Sequence, residues 1–178
     1  DKRFERLVAL DMKQGSNLTL SSIQTTVHLG AHVDAPNHYT KEGVGISERS
    51  LDYYYGPCQV IEVSTPKGER ILPKHLLDEV CASRILLKTN SYPEPDRFNQ
   101  DFSALSVALV DYLQLHDVRL IGIDTPSIDL FSDKVLESHN AVAKNDMAVL
   151  EGIVLKHVSP GNYLLIALPL RIKQCDAS

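Results

Sequence analysis

No stretch restricts this chain more than HLGAHVDAPNH, residues 28–38, which holds three of its seven histidines. Pro36 has no backbone N–H to donate and biases Ala35 toward extended geometry, so a helix through the segment is disfavoured. In an extended chain successive side chains alternate faces. His28, His32, Asp34 and His38 all occupy even positions, which places them on one side to the extent that the segment is extended. Gly30, on that same face, leaves a gap where an ion or a substrate could reach the backbone. Three imidazoles and a carboxylate buried together without a shared partner would leave several polar groups unpaired, at about 1–3 kcal/mol each. Imidazole nitrogens and a carboxylate converging on one point suit zinc, or with less affinity manganese or iron, so the motif reads as a metal site.

The rest of the chain supplies a scaffold for it. FERLVALD and NLTLSSIQTTV predict strands in a β-rich N-terminal portion. After it come five apolar runs of strand length: PCQVIEV (57–63), RILLKT (84–89), VRLIGID (118–124), AVLEGIVL (148–155) and YLLIALPL (163–170). Helix-like segments separate most of them: PKHLLDEV with Pro73 suited to a first turn, SVALVDYLQLHD, and SDKVLESHNAVAKN. Alternating elements with near-continuous apolar strands predict an α/β fold with a mostly parallel sheet covered on both faces. At 178 residues one domain, spanning 1–178, is the expectation. The opening DKRFERLVAL has no Met, so an N-terminal segment is expected to be missing. The loop SYPEPDRFNQD (91–101) is long enough to overhang a site.

Composition excludes several classes of function. A net charge of -5 and the lack of a Lys/Arg cluster argue against a nucleic-acid partner. No apolar run approaches the ~20 residues of a membrane-spanning helix, so no membrane partner is expected. Cys58, Cys81 and Cys175 are odd in number and form no CxxC pair, which fits neither a disulfide framework nor a thiolate metal site and favours a reducing, cytoplasmic setting.

The motif HxxxHxDxPxH, with Gly before the second histidine, resembles the signature of the metal-dependent cyclase family. YYGPCQVIEV, IGIDTPSID, ESHNAVAKNDMAVLEGIVL and SPGNYLLIALPL follow in that family's order and resemble its bacterial kynurenine formamidase (arylformamidase) branch. The resemblance implies a swivelling β/β/α-type fold, a homodimer or higher homo-oligomer, and a hydrolase of small amide or cyclic substrates with one or two divalent metals. Carried over by position, it implies that His28, His32 and Asp34 bind a first Zn2+. Asp34 would also reach a second, held by His139 and by Glu151, which is able to bridge both; Mn2+ or another divalent metal is the alternative occupant. His38 would be the catalytic acid/base. From the residues alone, His139 and Glu151 read equally as a surface helix residue and a strand-end carboxylate, although a carboxylate inside AVLEGIVL lacks an obvious partner. His75, His116 and His157 read as solvated.

The small-molecule substrate implied is N-formyl-kynurenine, hydrolysed to kynurenine and formate in tryptophan degradation. That branch places an aromatic residue, often Trp, over the substrate ring, whereas this chain has no Trp; Tyr39, Tyr92, Phe98 and Phe102 are the candidates here. Two other readings stand beside it: a cyclase-family hydrolase opening an isatin-like ring or a lactone, and a metal-binding protein without catalysis. A structural zinc is satisfied by four protein ligands, so the spare His38 discriminates against the last.

Overall fold

The computed structural model describes residues 2–178. The chain begins with two strands, β1 (Glu5–Leu10) and β2 (Leu20–Gln24), followed by the short β3 (His32–Asp34) and the long β4 (Tyr55–Glu62). A two-residue strand β5 (Arg70–Ile71), β6 (Arg84–Lys88), a second short strand β7 (Ala104–Leu105), helix α1 (Val107–Leu115) and β8 (Leu120–Ile123) come next. Helix α2 (Glu137–Lys144), β9 (Ala148–Glu151) and β10 (Gly161–Ile166) complete the order. Among the described residues, no helix is long and apolar enough to cross a membrane.

Six strands form the main sheet, in the order β10-β4-β6-β8-β9-β3. The four central strands run parallel, while β10 and β3 pair antiparallel at the edges, so the sheet is mixed with a parallel core. On one face Ile61, Ile85, Ile121 and Val149 pack with Leu109 and Leu113 of α1 and Val142 of α2. On the other, Val60, Leu86, Leu120 and Leu150 pack with Val33, Ile46 and Tyr54. Odd and even residues thus divide between two buried layers, which is why β6, β8 and β9 read as unbroken apolar runs. Gly122 lets the strands meet there, because a Cβ at that position would stand 2.4 Å from Leu86 Cδ2.

Several elements are shorter than the sequence predicts. PKHLLDEV forms one 3-10 turn, Pro73–His75, and no helix. Ser64 N–H donates to His75 O, Leu77 N–H donates to Glu62 O and Val63 bridges Leu76, so pairing with the end of β4 overrides local helix propensity. In SDKVLESHNAVAKN the helix starts only at Glu137, after Leu136 turns into the left-handed region at φ 58°. AVLEGIVL leaves the sheet at Gly152 (φ 66°), and YLLIALPL leaves it at Ile166. The N-terminal strands do form, as a hairpin apart from the main sheet in which every residue of β1 and β2 is exposed.

Candidate metal centre and active site

Edge strand β3 carries His32 and Asp34 on the helix-covered side of the sheet. Its antiparallel register sets His32 opposite Glu151, the last residue of β9, and directly opposed residues share a face. Helix α2 delivers His139 to the same point. Its first-turn amides are capped by two loop carboxylates: Asp133 accepts from Val135, Leu136 and Glu137, and Asp129 accepts from Ser138 and His139. Arg70 pairs with both carboxylates and fixes the helix entry.

The expected extended path of residues 28–38 holds only for 32–34. Gly30 turns the chain at φ 63°, and Pro36–His38 is a 3-10 turn in which His38 N–H donates to Ala35 O. His28 and His38 still reach the cluster, with their rings 4.2 Å apart, but they do so by turns flanking the strand and not by strand parity. The gap at Gly30 is also used differently, since the Gly30 carbonyl accepts from His32 Nδ1 at 2.9 Å.

The five expected ligands therefore share one site. His28 Nδ1 lies 3.2 Å and His32 Nε2 3.3 Å from Asp34 Oδ1, while His139 Nε2 lies 3.5 Å from the other oxygen, Oδ2. Glu151 divides likewise, with Oε2 3.6 Å from His32 and Oε1 3.6 Å from His139. Each carboxylate offers one oxygen to each histidine set. A tetrahedral shell with bonds near 2.0–2.1 Å has edges of about 3.3 Å, so these spacings suit cations seated between the groups. Both Asp34 oxygens and His139 Nε2 are buried with no hydrogen-bond partner among the described residues, and a divalent cation would supply one.

The outward nitrogens are all held. His32 donates to Gly30 O, His139 Nδ1 sits 2.8 Å from Asp129 Oδ2, and His28 Nε2 sits 2.9 Å from Asp176 Oδ2. Each bond turns the opposite nitrogen's lone pair toward the cluster. Neither Asp129 nor Asp176 was legible as a site residue; the signal for Asp129 was its place in the loop before a helix start, and Asp176 gave none.

Electrostatics among the side chains of the site follow from burial and charge. Burial and the nearby Asp34 push Glu151 up to about 8. Burial opposes ionisation of Asp34, yet the surrounding imidazoles hold its carboxyl well below the usual range. Burial works against charged His28 and His139, but their carboxylate partners outweigh it and raise them to about 9 and about 10. His38 moves the other way, lowered chiefly by burial. Its side chain is 34% exposed and its Nδ1 approaches Asp176 no closer than 3.7 Å.

A cavity of about 690 Å³ opens onto the histidines. Its far wall comes from the 91–101 loop through Tyr92, Pro93 and Phe98, so that loop overhangs the site. Of the other aromatic candidates, Tyr39 lies beside His139 with ring centroids 5.2 Å apart, and Phe102 is buried behind Tyr92 and does not line the cavity. His116 and His157 are exposed as expected, whereas His75 is half-buried and accepts from Leu72 N–H.

The cyclase family model matches residues 4–130, well over half of the chain. The chain belongs to the cyclase family. It is 41% identical over 163 residues to the kynurenine formamidase of Bordetella petrii, a match covering 90% of this chain and 78% of that protein. Among solved structures it superposes on a potential metal-dependent hydrolase with cyclase activity, with a TM-score of 0.82, 26% identity, and coverage of 99% of this chain and 83% of that one. A predicted metal-dependent hydrolase from Bacillus stearothermophilus gives the same TM-score at 27% identity, covering 99% and 84%. Isatin hydrolase A from Labrenzia aggregata, 19% identical with a TM-score of 0.78 over 99% of this chain and 80% of that one, shares the fold. In this chain the cyclase fold surrounds His/Asp groups suited to a divalent metal.

Proposed function

We propose that this cyclase-family protein is an arylformamidase that hydrolyses N-formyl-kynurenine to kynurenine and formate. The observation carrying this reading is the buried cluster in which Asp34 and Glu151 each turn one oxygen to each of two histidine sets at the floor of an open cavity. Two Zn2+ ions would suit it: His28, His32, Asp34 and Glu151 would hold one, and His139, Asp34 and Glu151 the other. Such ions lower the pKa of water toward ~7 and polarise a carbonyl.

The chain's own residues supply the remaining requirements. Tyr92 and Phe98 offer flat apolar surface to an aromatic ring. Among the described residues Lys156 is the only Lys or Arg lining the cavity, and it would meet the α-carboxylate of an amino-acid substrate. His38 stands at the cavity beside the cluster with no hydrogen bond from the described residues fixing its ring, free to take a proton from water and give it to the departing aromatic amine. Lowered by burial, it is neutral near pH 7, as a base must be. An open cavity on the cluster is also unlike a structural zinc, whose ligand shell is closed.

The apolar side chains left exposed on the β1–β2 hairpin, including Leu7, Leu20 and Ile23, favour assembly as a homodimer or higher oligomer. We take residues 1–178 as one catalytic domain working in the cytoplasm. Assay of the metal-loaded protein on N-formyl-kynurenine beside N-formyl-aniline, isatin and simple lactones tests the substrate. N-formyl-kynurenine should give the highest kcat/KM; preference for isatin or a lactone would assign the site to ring opening instead.

A further inference from the structure

Beyond the ligand cluster, one carboxylate touches both kinds of histidine in the site. Asp176 Oδ2 lies 2.9 Å from His28 Nε2 and 3.7 Å from His38 Nδ1, and those two rings lie 4.2 Å apart, tilted by 43°. It comes from the segment 174–178, which runs along β3 on its open edge. Ala35 N–H donates to Asp176 O, Val33 and Ser178 exchange backbone bonds, and Asp34 bridges Ala177. Ile46 N–H donates to Cys175 O, and Asn37 Nδ2 donates to Gln174 O. The backbone that places Asp176 is thus bonded to the same strand that places His32 and Asp34.

We propose that Asp176 is a positioning residue: it holds the Nε2–H of His28, so that Nδ1 is presented to the metal cluster, and keeps the neighbouring His38 ring at the cavity. The inference rests on reading the cluster as a metal centre. Two features separate this role from simple stabilisation. The Asp176 side chain is 47% exposed, and an ion pair so open to solvent contributes little to folding. Without it, the half-buried His28 ring has no acceptor for Nε2–H and is free to rotate away from the cluster. Outer-sphere partners of this kind are typically worth about 10–100-fold in metal affinity. The alternative is that Asp176 is itself a ligand, since its oxygen and nitrogens of His28 and His38 also lie close enough to hold an ion.

Titration of the ion-free full chain with Co2+ alone, in competition with a chromophoric chelator, tests the proposal on wild type, Asp176→Ala and Asp176→Asn. Asp176→Ala should bind the tighter Co2+ about 10–100-fold more weakly, with an unchanged melting temperature when ion-free and unchanged visible Co2+ bands at saturation. Asparagine keeps a carbonyl acceptor for Nε2–H but is a poor ligand, so Asp176→Asn should recover most of the affinity. Unchanged affinity in Asp176→Ala, no recovery in Asp176→Asn, or altered bands showing a changed ligand set would each overturn it. A wild-type chain that takes up no Co2+ would instead overturn the metal-centre reading on which it rests.

Discussion

His32 stands directly opposite Glu151 across the β3–β9 pair, with Nε2 3.6 Å from Oε2, while the other oxygen of Glu151 faces His139 at the same distance. Strand register alone thus brings a motif histidine to a carboxylate 119 residues later in the sequence. Asp34 repeats the arrangement with its own two oxygens, which makes it the group shared by all three histidines.

Asp34→Asn should therefore be more damaging than loss of any one histidine ligand. It removes a charge that would offset repulsion between the two proposed ions and puts an amide where an anionic oxygen would be needed. The variant should retain at most one ion per chain by elemental analysis and lose more than about 100-fold in kcat/KM, beyond the usual effect of a lost outer partner. Retention of two ions and most activity would refute the bridging role. His139→Ala should mainly empty one of the two sites.

His38→Ala should leave metal content unchanged while lowering kcat/KM on an N-formyl anilide by about 10²–10⁴, the range of a lost general acid/base. Burial lowers this histidine from 6.5, so the wild-type rate should fall in acid along a limb centred below that value, and the limb should change in the variant. An activated aryl ester, whose leaving group barely needs a proton, should suffer less. Equal loss on ester and anilide would remove His38 from proton transfer.

Protons and metal compete for this site. In the ion-free protein His28 is raised to about 9, His139 to about 10 and Glu151 to about 8, so near neutrality all three hold protons that an ion must displace. Metal affinity should rise steadily between about pH 6 and 9, with proton release visible by calorimetry in buffers of different ionisation enthalpy. The sign for folding is opposite. Groups with raised pKa contribute stability below their unfolded values, 6.5 for histidine and 4.5 for glutamate, and lose it as pH rises through 8 to 10. The melting temperature of the chelator-treated protein should fall over that interval, and the gain on adding metal should grow. A pH-independent metal affinity would contradict the shared-proton picture.

Gly152→Ala should strike the site from outside the ligand set. Gly152 sits at φ 66°, and a Cβ there would stand 2.5 Å from Gly30 O, the carbonyl that holds His32 Nδ1. Backbone at that contact cannot swing aside as a side chain end would. The substitution should cost roughly 1–3 kcal/mol in denaturant unfolding, as overpacking commonly does, and weaken metal binding through His32. Wild-type stability and affinity would show that the loop yields freely.

The sequence by itself determined the chemistry and the scaffold class. Three histidines and an aspartate around a proline pointed to a shared cation, because burying so many polar groups in so few residues without one would leave several unpaired. Alternating apolar runs and helices required a sheet covered on both faces, because period and length of apolar runs are local properties. Tertiary structure alone decided which distant groups complete the site. Register across β3 and β9 selected Glu151, the carboxylate caps of α2 aimed His139, and the segment beside β3 supplied Asp176. It also withdrew the helix expected at PKHLLDEV and bent residues 28–38 at Gly30 and Pro36. Pairing and bending of this kind depend on backbone groups far apart in the chain. Side-chain sequence does not list those partners, and only the folded geometry brings them within bonding distance.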